Sequence, residues 1–258
     1  MVFPKDSREA ELGGVHVCLS YPVIVRDGVP YISQMDLETT IRPLLAPPKN
    51  AKGARIRNIV IDPGHGGKDP GNIIGSQQEK KYTLLLAEEL CDQLRRAGFN
   101  ASLTRTTDSF IPLPDRPEIA RRRGADLFIS LHWNELPGHR EMKGAQTFCL
   151  TPAGASSSNA GRSGIGLRAS PGNRNDAKNM LLAYALQQSL LLKLGVEDRG
   201  VRHARYWILR DATMPAVLIE GGFMSNPTEA ARIYDAGYRR QMAHAIVQGV
   251  LEYQRETQ

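Results

Sequence analysis

The sequence predicts an α/β protein: a twisted, mainly parallel sheet with helices on both faces, plus a small N-terminal β-containing unit. Two observations carry this prediction. From Asn58 onward, short apolar runs alternate with longer segments whose apolar residues recur at helical spacing, the pattern of a parallel sheet covered by helices. Before Asn58 the apolar residues alternate with others over short stretches, as in half-buried strands. A chain of 258 residues, 41% apolar and 23% charged, has the make-up of a globular protein and the length of one large domain with a small appendage.

Residues 1–46 form the small β-rich unit. In VHVCLSY, Val15, Val17, Leu19 and Tyr21 share one face of a strand. Arg26-Asp27-Gly28 is a hairpin turn, and PYIS continues as the second strand. Ser33 caps a short helix through Met35, Leu37 and Ile41, which Pro43 stops. Residues 47–56 read as a linker by composition.

The main domain spans 57–258. Ile59 to Ile61 is a buried strand. Lys80 to Ala97 is a helix with Tyr82, Leu85, Leu86, Leu90 and Leu94 on one stripe and Gly98 as its stop. Asn100 to Thr104 is a strand, Pro117 to Arg123 a short helix, and Leu127 to Leu131 and Ala145 to Leu150 two further strands. Asp176 to Leu194 is a helix ended by Gly195. Tyr206 to Leu209 and Ala216 to Ile219 read as strands, and Gly237 to Tyr253 as the last helix. Between them, residues 151–175 form a loop insertion rich in Gly, Ser and Asn, with the composition of a mobile lid.

The net charge of +6 and pI near 9.3 suit anionic partners. Charge alone does not identify nucleic acid, which is not expected as a partner. No stretch approaches the roughly 18 consecutive apolar residues of a transmembrane segment. The N-terminal MVFPKDSREAELGG has no apolar signal-peptide core. Cys18, Cys91 and Cys149 are odd in number and widely spaced, and read as buried thiols.

In an open α/β sheet the chemistry gathers beyond the C-terminal ends of the strands. IVIDPGHGGKDPG puts His65 there, SLHWN puts His132 there, and IEGGFMSNP puts Glu220 there. Glu79 opens the helix after the glycine loop and can turn back to the same edge. Two histidines and a carboxylate make a catalytic zinc site, and a further carboxylate a general base. Each residue also has a plainer reading. His65 reads as a turn residue, Glu79 as the end of an S-x-x-E capping box from Ser76, and His132 as a core histidine. Glu220, after four apolar residues, needs a partner or a function, because burying an unpaired carboxylate is costly. A phosphate cradle is excluded: GHGGKDPG has Asp69 where a P-loop needs a hydroxyl.

Taken in order, IVIDPGHGGKDPG, Glu79, SLHWN and IEGGFMSNP resemble the zinc-dependent N-acetylmuramoyl-L-alanine amidases of the amidase-3 type. The resemblance spans roughly residues 57 to 254. It includes Thr104-Arg105-Thr106-Thr107-Asp108, Arg116 and Asp198-Arg199-Gly200-Val201. It implies an amidase-3-like catalytic domain that cleaves the amide between muramic acid and L-alanine in peptidoglycan. It further implies one Zn2+ per chain on His65, Glu79 and His132, with Glu220 as the catalytic glutamate, and sets the capping reading of Glu79 aside. Peptidoglycan and an activator protein are the implied partners, and the cell envelope, periplasmic or extracellular, the implied location. Two readings stand beside it: a catalytically silent peptidoglycan-binding protein of the same fold, and a zinc peptidase acting on stem peptides.

This sequence departs from the family at two positions. Trp133 stands where the residue after the second histidine is usually small, and is expected to line a wall or touch substrate. Gly221 stands where threonine is frequent, and is expected to widen the site. Asn134 and His203 complete the candidate substrate-binding residues. Asn226, in Ser225-Asn226-Pro227, is expected to be structural. The N-terminal unit weakly resembles the N-terminal domain of copper amine oxidases and suits a docking or wall-anchoring role.

Overall fold

The computed structural model of the protein describes residues 1–52, 54–158 and 168–258. The chain opens with β1 (Glu9–Leu12), β2 (Val15–Cys18) and the hairpin β3 (Ile24–Arg26) and β4 (Val29–Tyr31). Then come α1 (Gln34–Asp36), a π-turn over Leu37–Ile41, and α2 (Arg42–Leu45). The middle of the chain supplies β5 (Asn58–Pro63), the small pair β6 (Ile73–Ile74) and β7 (Gln77–Gln78), α3 (Glu79–Arg96), β8 (Asn100–Leu103), α4 (Asp115–Arg122), β9 (Leu127–Asn134) and β10 (Ala145–Leu150). A 3-10 turn at Pro171–Asn175 leads into α5 (Asp176–Leu194), β11 (Asp198–Ala204), α6 (Trp207–Arg210), β12 (Ala216–Phe223), α7 (Pro227–Tyr234) and α8 (Ala236–Thr257).

Eight strands make one sheet in the order β1-β2-β11-β10-β12-β9-β5-β8. β8, β5, β9 and β12 run parallel. The direction reverses between β12 and β10, after which β10, β11 and β2 are again parallel to one another. The sheet is thus mainly parallel, as expected, with one internal reversal that apolar periodicity does not encode.

Side chains alternate across a strand, so this sheet has two different faces. One is thick: α3, α5 and α8 press on Ile59, Ile61, Leu127, Ile129, Val217 and Ile219. The other is thin: α4 and α6 contribute Ala120, Ile208 and Leu209 over Val60, Phe128, Phe148 and Leu218. β5 is 0–1% exposed at Ile59, Val60 and Ile61, as a central strand covered on both faces must be.

Four expectations are corrected. The N-terminal strands do not form a sheet of their own. β2 pairs with β11 at Val17↔Val201 and β1 adds outside it, so residues 9–18 extend the main sheet. β1 itself went unpredicted; of the N-terminal strands, the hairpin β3–β4 stands as a separate two-stranded sheet, its turn made by Asp27 and Gly28 at positive φ. Pro43 does not end the helix. It lies in the first turn of α2, where its missing N–H costs nothing. Tyr206 to Leu209 is not a strand: Trp207–Arg210 is the helical turn α6, with Ile208 and Leu209 buried. A run this short does not separate the two periods; β11 lies just upstream instead. The linker is tied down, with Asn50 N donating to Thr257 O and Lys49 Nζ to Glu256 O.

Candidate metal centre and active site

The glycine loop that follows β5 is held by carbonyl groups bonded to two buried arginines. Arg105 donates to Pro63 O, Gly64 O and Lys80 O. Arg116 donates to Pro63 O and His65 O, and its guanidinium pairs with Asp62 Oδ1 at 3.0 Å. Asp62 also accepts from Thr104 Oγ1 and Ser130 Oγ, so this buried pair is fully bonded, the condition under which such a pair is tolerated. With its carbonyl held by Arg116, His65 adopts φ 61, a left-handed conformation uncommon for a residue with a side chain. The result aims the imidazole back across the sheet edge.

There it meets Glu79 and His132. Their candidate ligand atoms all lie within 4.8 Å of one another. His65 Nε2 is 3.0 Å from Glu79 Oε2, and His132 Nδ1 is 3.0 Å from Glu79 Oε1. The two rings cross edge to face at 80° with centroids 4.8 Å apart. Glu79 is 2% exposed. Its carboxylate also accepts backbone N–H bonds from Asn72 and Trp133. Burial opposes its charge, but the bonds from His132 and His65 outweigh burial and hold the carboxyl well below the usual range. Burial also works against a charged His65, and Glu79 and Asp69 together reverse that and raise it. Ser76 does not cap α3, whose N-cap is Gln78 without a side-chain bond. The capping-box reading of Glu79 is therefore overturned: its side chain is turned away from the helix end.

The space for this cluster comes from missing side chains. A Cβ on Gly64 would overlap the His132 imidazole. One on Gly71, itself at φ +64, would lie 2.6 Å from Glu79 Oε2 and from His65 Cδ2. His65 Nδ1 pairs with Asp69 Oδ2 at 2.9 Å, which leaves Nε2 for the cluster. Two nitrogens and a buried carboxylate converging on one point fit a divalent zinc-type ion.

Glu220 leaves β12 on the same, thin face of the sheet and lines the same cleft, whose volume is about 560 Å³. Its Oε2 is buried without a hydrogen-bond partner among the described residues. Burial, and then the negative charge of Glu79, push its carboxyl well above the ordinary range. Phe110, Ile111 and Leu113 line the cleft, as do Tyr206, Trp207 and Ile208.

The family model for N-acetylmuramoyl-L-alanine amidase matches residues 59–252. The chain belongs to this amidase family. It is 35% identical to N-acetylmuramoyl-L-alanine amidase AmiC of Neisseria meningitidis over 228 residues, 80% of this chain and 55% of the relative. It is 34% identical to AmiA of Escherichia coli over 229 residues, 80% of this chain and 79% of the relative. The solved structure of amidase AmiC2 of Nostoc punctiforme superposes with a TM-score of 0.65 at 30% identity, covering 77% of this chain and 97% of that one. The chain thus spans about half of the Neisseria relative.

In this member of the family the sheet brings together His65, Glu79, His132 and Glu220 and sends the other candidates elsewhere. Trp133 is 0% exposed, on the thick face, within the core. Its side chain does not line the cleft, because the residue after His132 points the opposite way. Gly221 does not widen the cleft for the same reason. A Cβ there would lie 2.8 Å from the Trp133 indole and 2.9 Å from Met242 Sδ. The two departures from the family pattern are one packing solution: the indole fills the space that a side chain at 221 would take. His203 is 2% exposed. It shares the thick face with Val201, its ring against Cys149 Sγ at 3.3 Å, away from the cleft. Asn134 accepts from Glu135 N through its own Oδ1 and does not line the cleft.

Asn226 caps α7, accepting from Thr228 N and Glu229 N. Glu118 pairs with Arg121 and Arg122 at the exposed end of α4. Asp108 pairs with Lys80 and accepts from Gly67 N, latching the glycine loop. Part of the expected lid, 159–167, lies outside the described residues. Its flanks are pinned by Arg205 to Pro152 O and Ala155 O, and by Asn173 to Thr151 O. Asp69 and Asn72 escaped sequence reasoning. The readable signal for Asp69 was its position four residues after His65 in one loop.

Proposed function

We propose that this protein hydrolyses the amide between the lactyl group of muramic acid and L-alanine in peptidoglycan, with zinc held by His65, Glu79 and His132. The observation that carries the proposal is the convergence of those three side chains beside Glu220 in one cleft. A zinc bound there supplies Lewis-acid polarisation of the scissile carbonyl and lowers the pKa of water. Glu220 takes a proton from the attacking water and returns it to the leaving α-amine of L-alanine as the C–N bond breaks. The lactyl group departs as a carboxylate, so the atoms of one water are consumed. Such general acid–base work contributes typically about 10²–10⁴-fold. Burial, and the lack of a partner for Oε2 among the described residues, suit Glu220 to both halves of that exchange. Asp69 orients the His65 ring, and Arg105 and Arg116 hold the loop that carries it.

A peptidoglycan substrate places the work in the cell envelope. No described helix is long and apolar enough to cross a membrane. The test pairs metal content with muropeptide digestion. About one zinc per chain, consistent with a three-ligand site, is expected in the wild type and in Glu220→Gln. Free stem peptide is expected only from the wild type. His65→Ala is expected to lose the metal. Cleavage within the stem peptide would instead make the protein a peptidase, and zinc-free turnover would remove the roles given to the histidines.

A further inference from the structure

Trp207 is 50% exposed although it lines the active-site cleft. Ile208 and Leu209, its neighbours on α6, are 3% and 1% exposed and anchor the turn to the thin face of the sheet. The indole is therefore a ring on a fixed mount. The Arg210 guanidinium lies 4.5 Å from its centroid and restricts the ring further. Along the sheet, His65, His132 and Glu220 come from β5, β9 and β12. Trp207 follows β11 on one flank of that row, and Phe110 follows β8 on the other. Both rings line the cleft that holds His65, His132 and Glu220.

We propose that Trp207 is the sugar-binding wall of the cleft, stacking on the muramic acid ring of the glycan strand with the indole face that Arg210 leaves free. This rests on the amidase reading. The physical argument is shape and charge. A pyranose presents a flat face of C–H groups with slight positive charge, and an indole presents a flat face of negative quadrupole. The substrate's peptide half is a flexible chain without such a face. A tryptophan also loses little side-chain entropy when it binds, for the contact area that it offers.

The protein supplies its own probe. It has two tryptophans, of which Trp133 is 0% exposed, so a ligand-induced change in indole emission reports Trp207. Titrating the holoprotein with a peptide-free N-acetylglucosamine–N-acetylmuramic acid disaccharide is expected to shift emission, and Trp207→Phe to abolish that change in the reporter. In kinetics, Trp207→Ala is expected to raise KM for a muramoyl-peptide about fivefold with kcat nearly unchanged, the size of one aromatic contact. With a lactoyl-peptide that lacks the sugar ring, wild type and Trp207→Ala are expected to share one KM. An active amidase whose emission ignores the disaccharide and whose Trp207→Ala keeps its KM overturns the subsite and leaves the amidase reading intact. Equal KM increases for both substrates overturn it too, since the indole would then serve the peptide. A wild type that releases no stem peptide while the disaccharide shifts Trp207 emission sinks the amidase reading and supports the sugar site.

Discussion

The two faces of the central sheet share the same strands and have opposite characters. On β9, His132 points to the thin face and the very next residue, Trp133, to the thick one. On β12, Glu220 and Gly221 divide the same way. One face is dry packing under α3, α5 and α8. The other is a cleft with buried ionisable groups under two short helical elements. Adjacent residues can thus serve chemistry and stability almost independently, because the pleat separates them. A slip of one residue would exchange the two sets.

The sharpest way to break this division is to change each face alone. Glu220→Gln on the cleft side is expected to lower turnover by about 10²–10⁴-fold, while the melting temperature holds or rises because a carboxylate with a buried oxygen unbonded among the described residues is gone. Muropeptide digestion beside thermal melts would show it; a large loss of stability would mean that Glu220 is structural. On the core side, Trp133→Ala is expected to cost about 3–5 kcal/mol, read by denaturant unfolding. Adding Gly221→Thr to it should recover part of that loss, although Gly221→Thr alone overpacks the indole and destabilises by about 1–3 kcal/mol. Additive effects of the two changes would show that they do not share a space.

A smaller, pH-dependent effect belongs to the core face as well. Burial drives the His203 pKa down to about 4. A depressed imidazole contributes stability that is present above its unfolded pKa near 6.5 and is lost as pH falls from there through about 4. The loss approaches roughly 3 kcal/mol at full protonation. His203→Phe should flatten the stability profile in that window, measured by urea midpoints at several pH values. The smallest change is expected from Asn226→Ala, which removes the cap of α7 and costs about 1 kcal/mol, with turnover preserved.

The same alternation explains what was legible in the sequence. The bounds of α5, Asp176 to Leu194, are legible because a long run of helix formers ends at Gly195, which closes it at φ 60. His65, His132 and Glu220 were legible because each ends an apolar strand. Trp133 and His203 lie away from the cleft because strand parity sends them to the other face, which their neighbours in sequence do not reveal. The strut role of Arg105 was hidden for a different reason. Arg105 acts on the carbonyls of Pro63, Gly64 and Lys80, and backbone carbonyls leave no mark in a sequence. The reversal between β12 and β10 was hidden likewise, since buried strands look the same in either direction.

The pairing of β2 with β11 has a consequence for how the chain is made. Val17 meets Val201, and that partner leaves the ribosome roughly 10–40 s later at ordinary elongation rates. Through that interval β1 and β2 have no sheet edge to join, while β5, β8 and β9 already have one another. Docking of the amino terminus is therefore the late step of biogenesis. Until it happens, β11 presents an open edge to which a second nascent chain can add.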